Sequence, residues 1–281
     1  MKTRVPALFS AGVLALSLTA CGSEEAPEEV AEVAEAAEEE KGGGLFDLLS
    51  NLGESTAEVT NYTLDISMAM PDPDLGEIEV DMTYEIMDDP QATQVTMVMP
   101  SIGEVLAELA ALGGAAPDLS AEELGTTIII LPPEGESLIS NHNGLQDVDT
   151  PWARGLDDAG QLAPEDLFDL STFPDMVGAF AEVDQIEETG SEDVDGVATT
   201  VVEGTLTQED VDAMDAESKS AVLDFLGGDL AGAVDVSIWI AEDGFPMRMH
   251  LADDEMDMEL EFSSIGTTSF EIPAEDQISD L

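Results

Sequence analysis

The run Tyr62-Thr63-Leu64-Asp65-Ile66-Ser67-Met68-Ala69-Met70 alternates apolar and polar or small residues without a break. A second run follows, in which Ile78, Val80, Met82, Tyr84 and Ile86 alternate with Glu79, Asp81, Thr83 and Glu85. A period of two turns one side of each run toward a core and the other toward water, the signature of antiparallel pairing with one solvated face. Asp88-Asp89-Pro90 is a turn, and residues 91–99 continue as a third strand.

Outward from this meander the chain changes character twice. Residues 101–124 have helical and loop spacing, carried by Ile102, Val105, Leu106 and Leu109. Residues 126–131 are a β-branched strand, which Pro132-Pro133-Glu134-Gly135 turns into a hairpin with 137–140. Residues 144–180 read as helix and loop, with short helices at 164–168 and 176–180. Residues 181–188 are expected to pair with 197–206 across the acidic turn Asp193-Val194-Asp195-Gly196. A helix over 208–226 precedes three strands, centred on Val234 to Ile240, Met247 to Leu251 and Met256 to Phe262. Upstream, Leu45 to Leu52 has the spacing of a short amphipathic helix extending to Glu58. The expected architecture is α+β: an antiparallel sheet of about ten strands with helical insertions, in one domain over residues 45–281.

Charge limits what such a domain can meet. The 281 residues contain 64 Asp and Glu but only 6 Lys and Arg. Two of those bases, Lys2 and Arg4, lie in the first twenty residues, which hold no acid. From Cys21 onward four bases face 64 acids, a formal charge of −60. Nucleic acid is excluded as a partner, because its binding needs clustered Lys and Arg to displace counterions. An anionic bilayer repels the chain for the same reason. Yet 43% of the residues are apolar, enough for a core, so the charge lies on the outside of a real fold. Self-repulsion of that size costs stability and is screened by salt. The acidity therefore reads as an adaptation to a salty medium, or as a lineage-wide acidic bias. Loosely condensed cations are expected over the whole surface.

Residues 1–20 read as a secretory signal. The basic Lys2 and Arg4 precede an apolar stretch from Val5 to Leu18, too short to span a bilayer, which takes about 20 residues. Leu18-Thr19-Ala20-Cys21 resembles the bacterial lipobox. That resemblance implies cleavage between Ala20 and Cys21 and lipidation of the Cys21 thiol, with palmitate-type acyl chains anchoring the protein to the extracytoplasmic face of the cell membrane. Cys21 is the single cysteine, so a disulfide framework or a Cys-based metal site is excluded. Residues 21–44 carry the lipidated Cys and an acidic flexible tether of Glu, Ala, Val and Pro closed by Gly42-Gly43-Gly44. Such a coil spans about 25–30 Å.

The order of elements and several stretches carry a wider resemblance. These are Asn61-Tyr62-Thr63-Leu64, Pro151-Trp152, Asp195-Gly196-Val197-Ala198-Thr199-Thr200 with Glu203-Gly204-Thr205-Leu206, and Ile238-Trp239-Ile240-Ala241-Glu242-Asp243-Gly244-Phe245-Pro246-Met247-Arg248. The chain resembles the LolA-like carriers, most closely the actinobacterial LppX/LprG-type lipoproteins, from which its acidity and scarcity of Lys depart. The resemblance implies a curved half-barrel with helices across its open side, enclosing an apolar cavity. It also implies that the protein carries or presents a lipid or a lipidated molecule outside the cytoplasmic membrane.

The residues expected on the inner face are Ile66, Met68, Val80, Met82, Tyr84, Val95, Met97, Val236, Ile238, Met247, Met249, Met258 and Leu260; Met70 and Met99 extend the same faces. Methionine is unbranched and polarizable and adapts to irregular apolar shapes. The same residues would equally serve an ordinary packed core, and the alternative function is then a surface-anchored sensor or protein-interaction module with a closed core. A weaker third reading is an acidic envelope protein that buffers cations. No catalytic residue, cofactor or metal ligand is expected. The two His, His142 beside a turn and His250 on a solvent face, stand in no ligand spacing, and no nucleophile elbow, phosphate loop or zinc-helix motif occurs. Asp72-Pro73-Asp74, Asp193-Val194-Asp195-Gly196 and Asp253-Asp254-Glu255 place hard oxygens in turns, but none has the twelve-residue calcium-loop pattern. Trp152 is expected at a cavity mouth or at the edge of the core, and Arg248 on an outer face beside acids.

Overall fold

The two alternating runs pair as their pattern requires, β1 (Tyr62–Asp72) antiparallel to β2 (Gly76–Asp88), with Leu64 opposite Tyr84 and Ile66 opposite Met82. The computed structural model describes residues 59–72, 76–112, 119–155, 187–226, 228–230, 232–254 and 256–281. The remaining strands are β3 (Gln91–Val98), β4 (Thr126–Leu131), β5 (Leu138–Ser140), β6 (Trp152–Arg154), β7 (Glu187–Val194), β8 (Val197–Leu206), β9 (Val234–Ala241), β10 (Pro246–Ala252), β11 (Asp257–Ser263) and β12 (Ile278–Asp280). They form one sheet in the order β12-β6-β5-β4-β3-β2-β1-β11-β10-β9-β8-β7. Every neighbouring pair is antiparallel except β12 with β6. The order has two ends, so the sheet stays open, and the twist accumulated over so many strands curls it. The fold is α+β, and Gly42–Leu281 forms one compact unit.

Four helices are described: α1 (Pro100–Leu112), α2 (Ala121–Gly125), α3 (Gln208–Ala213) and α4 (Ala216–Phe225). Thr207 starts α3 with a capping box: its hydroxyl accepts from the Asp210 N–H at 3.3 Å while the Asp210 carboxylate accepts from the Thr207 N–H at 2.9 Å. Ser120 and Glu123 do the same for α2. α1 and α2 meet backbone to backbone. A Cβ added at Gly103 would stand 1.6 Å from the Ala121 carbonyl oxygen, and one at Gly125 would stand 2.2 Å from that of Met99.

Several expectations need correction. Twelve strands, not about ten, are present among the described residues. The acidic hairpin is tighter than expected: β7 runs up to Val194, opposite Val197, and turns on Asp195 and Gly196 alone. Both turn residues have positive φ, 47° and 78°, as a two-residue hairpin turn of matching twist needs. The expected helix over 208–226 is two helices, broken where the Asp215 carboxylate accepts from the Ser218 N–H at 3.2 Å. Two short strands depart from the reading altogether: β6, within the stretch expected as helix and loop, and β12. The expected helices over 45–58, 164–168 and 176–180, the Asp72-Pro73-Asp74 turn, Ala20, Cys21 and the tether lie outside the described residues in whole or in part.

The core follows the inner face. One cluster runs from Val95 in β3 across β1 and β11 to β8, and takes in Val211 of α3 and Val222 of α4. A smaller cluster of Ile129, Ile139 and Ala153 lies under β4 to β6. The outer face manages its acids with little basic charge. Asp65 stands opposite Thr83, whose hydroxyl donates to it at 2.6 Å. Asp81 receives the Ser67 hydroxyl at 2.7 Å and Asp235 that of Thr205 at 2.8 Å. Arg154 forks onto Glu275 at 2.9 and 3.0 Å, Lys219 pairs with Asp212, and Arg248 pairs with Glu261. The expectation for Arg248 therefore holds, and its guanidinium also lies 5.3 Å from the Trp239 ring centre.

Candidate functional site

The thirteen residues singled out on the inner face come together there, because residues directly opposite in a ladder share a face. One row crosses eight strands: Thr127, Met97, Met82, Ile66, Leu260, Met249, Ile238 and Val202. A parallel row holds Tyr84 and Val95, with Leu64 and Phe262 between β2 and β11. On the other side Val80, Met68, Met258, Leu251 and Val236 form a third. Met247 lies two residues from Met249 in β10 and is buried with it.

Burial along the long row is not uniform. Ile238, Met249 and Leu260 are only 1–2% exposed, and Ile66 is 6% exposed. Met82, Met97 and Thr127 beyond them are half-buried, as are Met68 and Met258 in the adjoining row. The first group shares its cluster with residues of the helices. Val211, Val222, Leu223, Phe225 and Leu226 of the α3–α4 region belong to or pack on the same cluster. Met82, only partly buried, packs against the same cluster, and α1 and α2 lie against β2 and β3. The result is a tract of half-buried methionines across β11, β1, β2 and β3. It leads toward Met99 and the start of α1, and α1 itself lies against β2.

The chemistry of the tract is apolar. Tyr84, fully buried beside it, has its phenol pushed up to about 12 by desolvation, so it is neutral at any physiological pH. Its hydroxyl points toward the Met82 sulfur at 3.8 Å. The thioethers of the tract are soft and unbranched, the kind of side chain that repacks around irregular apolar shapes.

Polar candidates elsewhere do not assemble chemistry. His142 Nδ1 stands 3.1 Å from the Ser140 hydroxyl at the end of β5, a local loop contact. His250 faces Asp257 at 3.3 Å across the outer side of β10 and β11. That pair borders an open hollow of about 280 Å³, with Glu79, Asp81 and Glu259 around it. Among the described residues no three His, Cys, Asp or Glu side chains converge on one point where a metal ion could sit. Asp195 instead accepts from the N–H of Ser264, just past β11, at 3.3 Å, and Asp253 from that of Met256 in its own turn at 2.7 Å. Trp152 is half-buried in β6, next to the last strand of the sheet.

Sequence reasoning missed the glycine contact between α1 and α2 and the uneven cover of the inner row. No family model matches the chain, and no curated protein matches it significantly. Solved structures similar to it include LprF from Mycobacterium bovis, at 15% identity over 82% of this chain and 95% of that one, with a TM-score of 0.44. The Mycobacterium tuberculosis lipoprotein LppX is similar at 16% identity over 80% and 97% of the two chains, with a TM-score of 0.43. A lipoprotein-sorting domain from Vibrio parahaemolyticus is similar at 9% identity over 78% and 91%, with a TM-score of 0.23.

Proposed function

We propose that this chain is a non-enzymatic lipoprotein of the cell envelope, anchored through Cys21 on the extracytoplasmic side, that binds or carries one lipid or other apolar molecule on the inner face of its sheet. The observation that carries the reading is the half-buried methionine tract of Met68, Met82 and Met97, set beside the closed core. Ile66, Val80 and Met258 adjoin the tract, and Tyr84 and Val95 are the buried floor beside it. Val236, Ile238, Met247, Met249 and Leu260 form the rigid wall behind it. Binding draws on apolar burial at roughly 25 cal/mol per Å², and the partners are the ligand and the membrane that holds the anchor.

Native mass spectrometry with organic extraction tests this. The chain is expressed in an envelope-competent bacterium and purified in salt without detergent. A stoichiometric co-purifying lipid is the expected result and names the ligand class. A ligand-free protein that also leaves a panel of fluorescent lipids unshifted overturns the reading in favour of a sensor or interaction module with a closed interior.

A further inference from the structure

α1 turns apolar side chains outward in a chain that otherwise covers itself with carboxylates. Ile102, Val105, Leu109 and Leu112 recur at helical spacing, so they form one stripe. They are 45%, 46%, 59% and 86% exposed, rising toward the end of the helix. The two acids of α1, Glu104 and Glu108, are four residues apart, and the helix has no base. From Leu109 to Pro117 the sequence carries no charge at all, although 25% of the whole chain is charged.

The stripe cannot be turned away by rolling the helix. Gly103 meets the backbone of Ala121 and Gly125 so closely that no Cβ fits, and the Met99 N–H donates to the Gly125 carbonyl at 3.1 Å. That contact fixes which side of α1 faces the sheet region and which faces out. We infer that the outward stripe of α1 docks the protein on a zwitterionic lipid bilayer, beside the methionine tract.

The choice of occupant follows from charge and tether. A second copy of the chain from Cys21 onward brings another formal −60 against the first. A basic protein would seek the carboxylates that the stripe lacks, and an anionic bilayer is repelled. An uncharged, apolar-cored surface remains. The inference rests on the proposed reading of a Cys21-anchored carrier, whose tether of about 25–30 Å keeps such a surface within reach. Interfacial helices commonly add basic residues to their apolar face. α1 has none, so its binding relies on apolar contact and strengthens in salt, where the repulsion of the rest of the surface is screened. Since α1 lies against β2, docking brings the bilayer to the end of the sheet where a lipid would enter or leave the tract.

Vesicle flotation tests the inference on the chain from residue 21 onward carrying Cys21→Ser, so that neither leader nor acyl chain contributes. The expected result is flotation with phosphatidylcholine vesicles, stronger in concentrated NaCl and weaker when phosphatidylglycerol is mixed in. Leu109→Glu with Leu112→Glu weakens it by about tenfold while the thermal transition, followed by circular dichroism, stays in place because both side chains are exposed. A chain that does not float overturns the inference. So does a double variant that floats like the parent, or one whose only change is loss of self-association. Extraction of bound lipid from the same preparation separates the two proposals. Bound lipid without flotation removes the docking alone, whereas flotation without bound lipid removes the carrier reading alone.

Discussion

The two halves of the sheet are built from the same alternating pattern and end in different states. In β9 to β11, Ile238, Met249 and Leu260 are buried in the cluster that also takes in Val211 of α3 and Val222 of α4. Across β1, Met82 and Met97 of the same row stay half-buried, and α1, which lies against β2, turns apolar side chains outward. Alternation therefore decides which residues face inward, but not whether anything closes over them. That second property depends on helices remote in sequence, and it separates a core from a binding surface.

The comparison breaks first if the sealed half is not the stabilising one. Ile238→Ala removes a side chain from the centre of the closed cluster and is expected to cost about 2–5 kcal/mol in urea unfolding, with little effect on lipid affinity. The opposite pattern is expected at Met97. Met97→Trp fills the open tract and lowers lipid affinity by about tenfold, close to 1.4 kcal/mol, while the unfolding midpoint barely moves. If both variants lower stability equally and neither alters binding, the halves do not differ in the way described.

Gly103→Ala sharpens the account of the open half. The Cβ has no room against Ala121, so α1 must shift or detach, at about 1–3 kcal/mol. Hydrogen exchange is expected to speed up in α1 and α2 and to leave α3 and α4 as they were. Loss of protection in both helix pairs would show that the halves are coupled. A smaller effect is expected at the cap of α3. Thr207→Ala removes the hydroxyl that accepts from Asp210 N–H and should cost about 1 kcal/mol by thermal unfolding.

The smallest prediction concerns the cap of α2. The backbone N–H and the hydroxyl of Ser120 both donate to the Glu123 carboxylate, which holds its pKa below the usual 4.5. A depressed pKa stabilises the fold above the ordinary glutamate range, and the benefit is lost as pH falls through the folded value. Ser120→Ala removes the hydroxyl donor and is expected to move Glu123 upward in an NMR titration. An unchanged titration would show that the backbone contact alone sets it.

Much of the sheet was legible because water and a core read opposite faces of a strand. Leu64, Ile66, Tyr84 and Met82 sit where their alternation placed them, as do the three strands after Val234. β7 was misplaced because Glu187 to Val194 has one apolar residue in eight and no periodicity to follow. The signal that could have found it was Asp195-Gly196, a two-residue hairpin turn that fixes the strand on either side. β12 is three residues held parallel to Trp152–Arg154, too short and polar to announce itself. The break between α3 and α4 was hidden by continuous helical spacing, though Asp215 three residues before Ser218 is a capping pattern. The thirteen inner positions were readable in the sequence. Their division into fully buried and half-buried members was not, since it depends on packing by elements remote in sequence, such as the helix of Val222 that joins the same cluster.

The most direct test of the central claim is photo-crosslinking with a fatty acid carrying a diazirine near its tail, followed by peptide mapping of the full mature chain. Adducts are expected on the peptides containing Met68, Met82 and Met97, with protection of those containing Val202 and Ile238. Adducts confined to residues 197–252, or spread evenly over the surface, would contradict the reading.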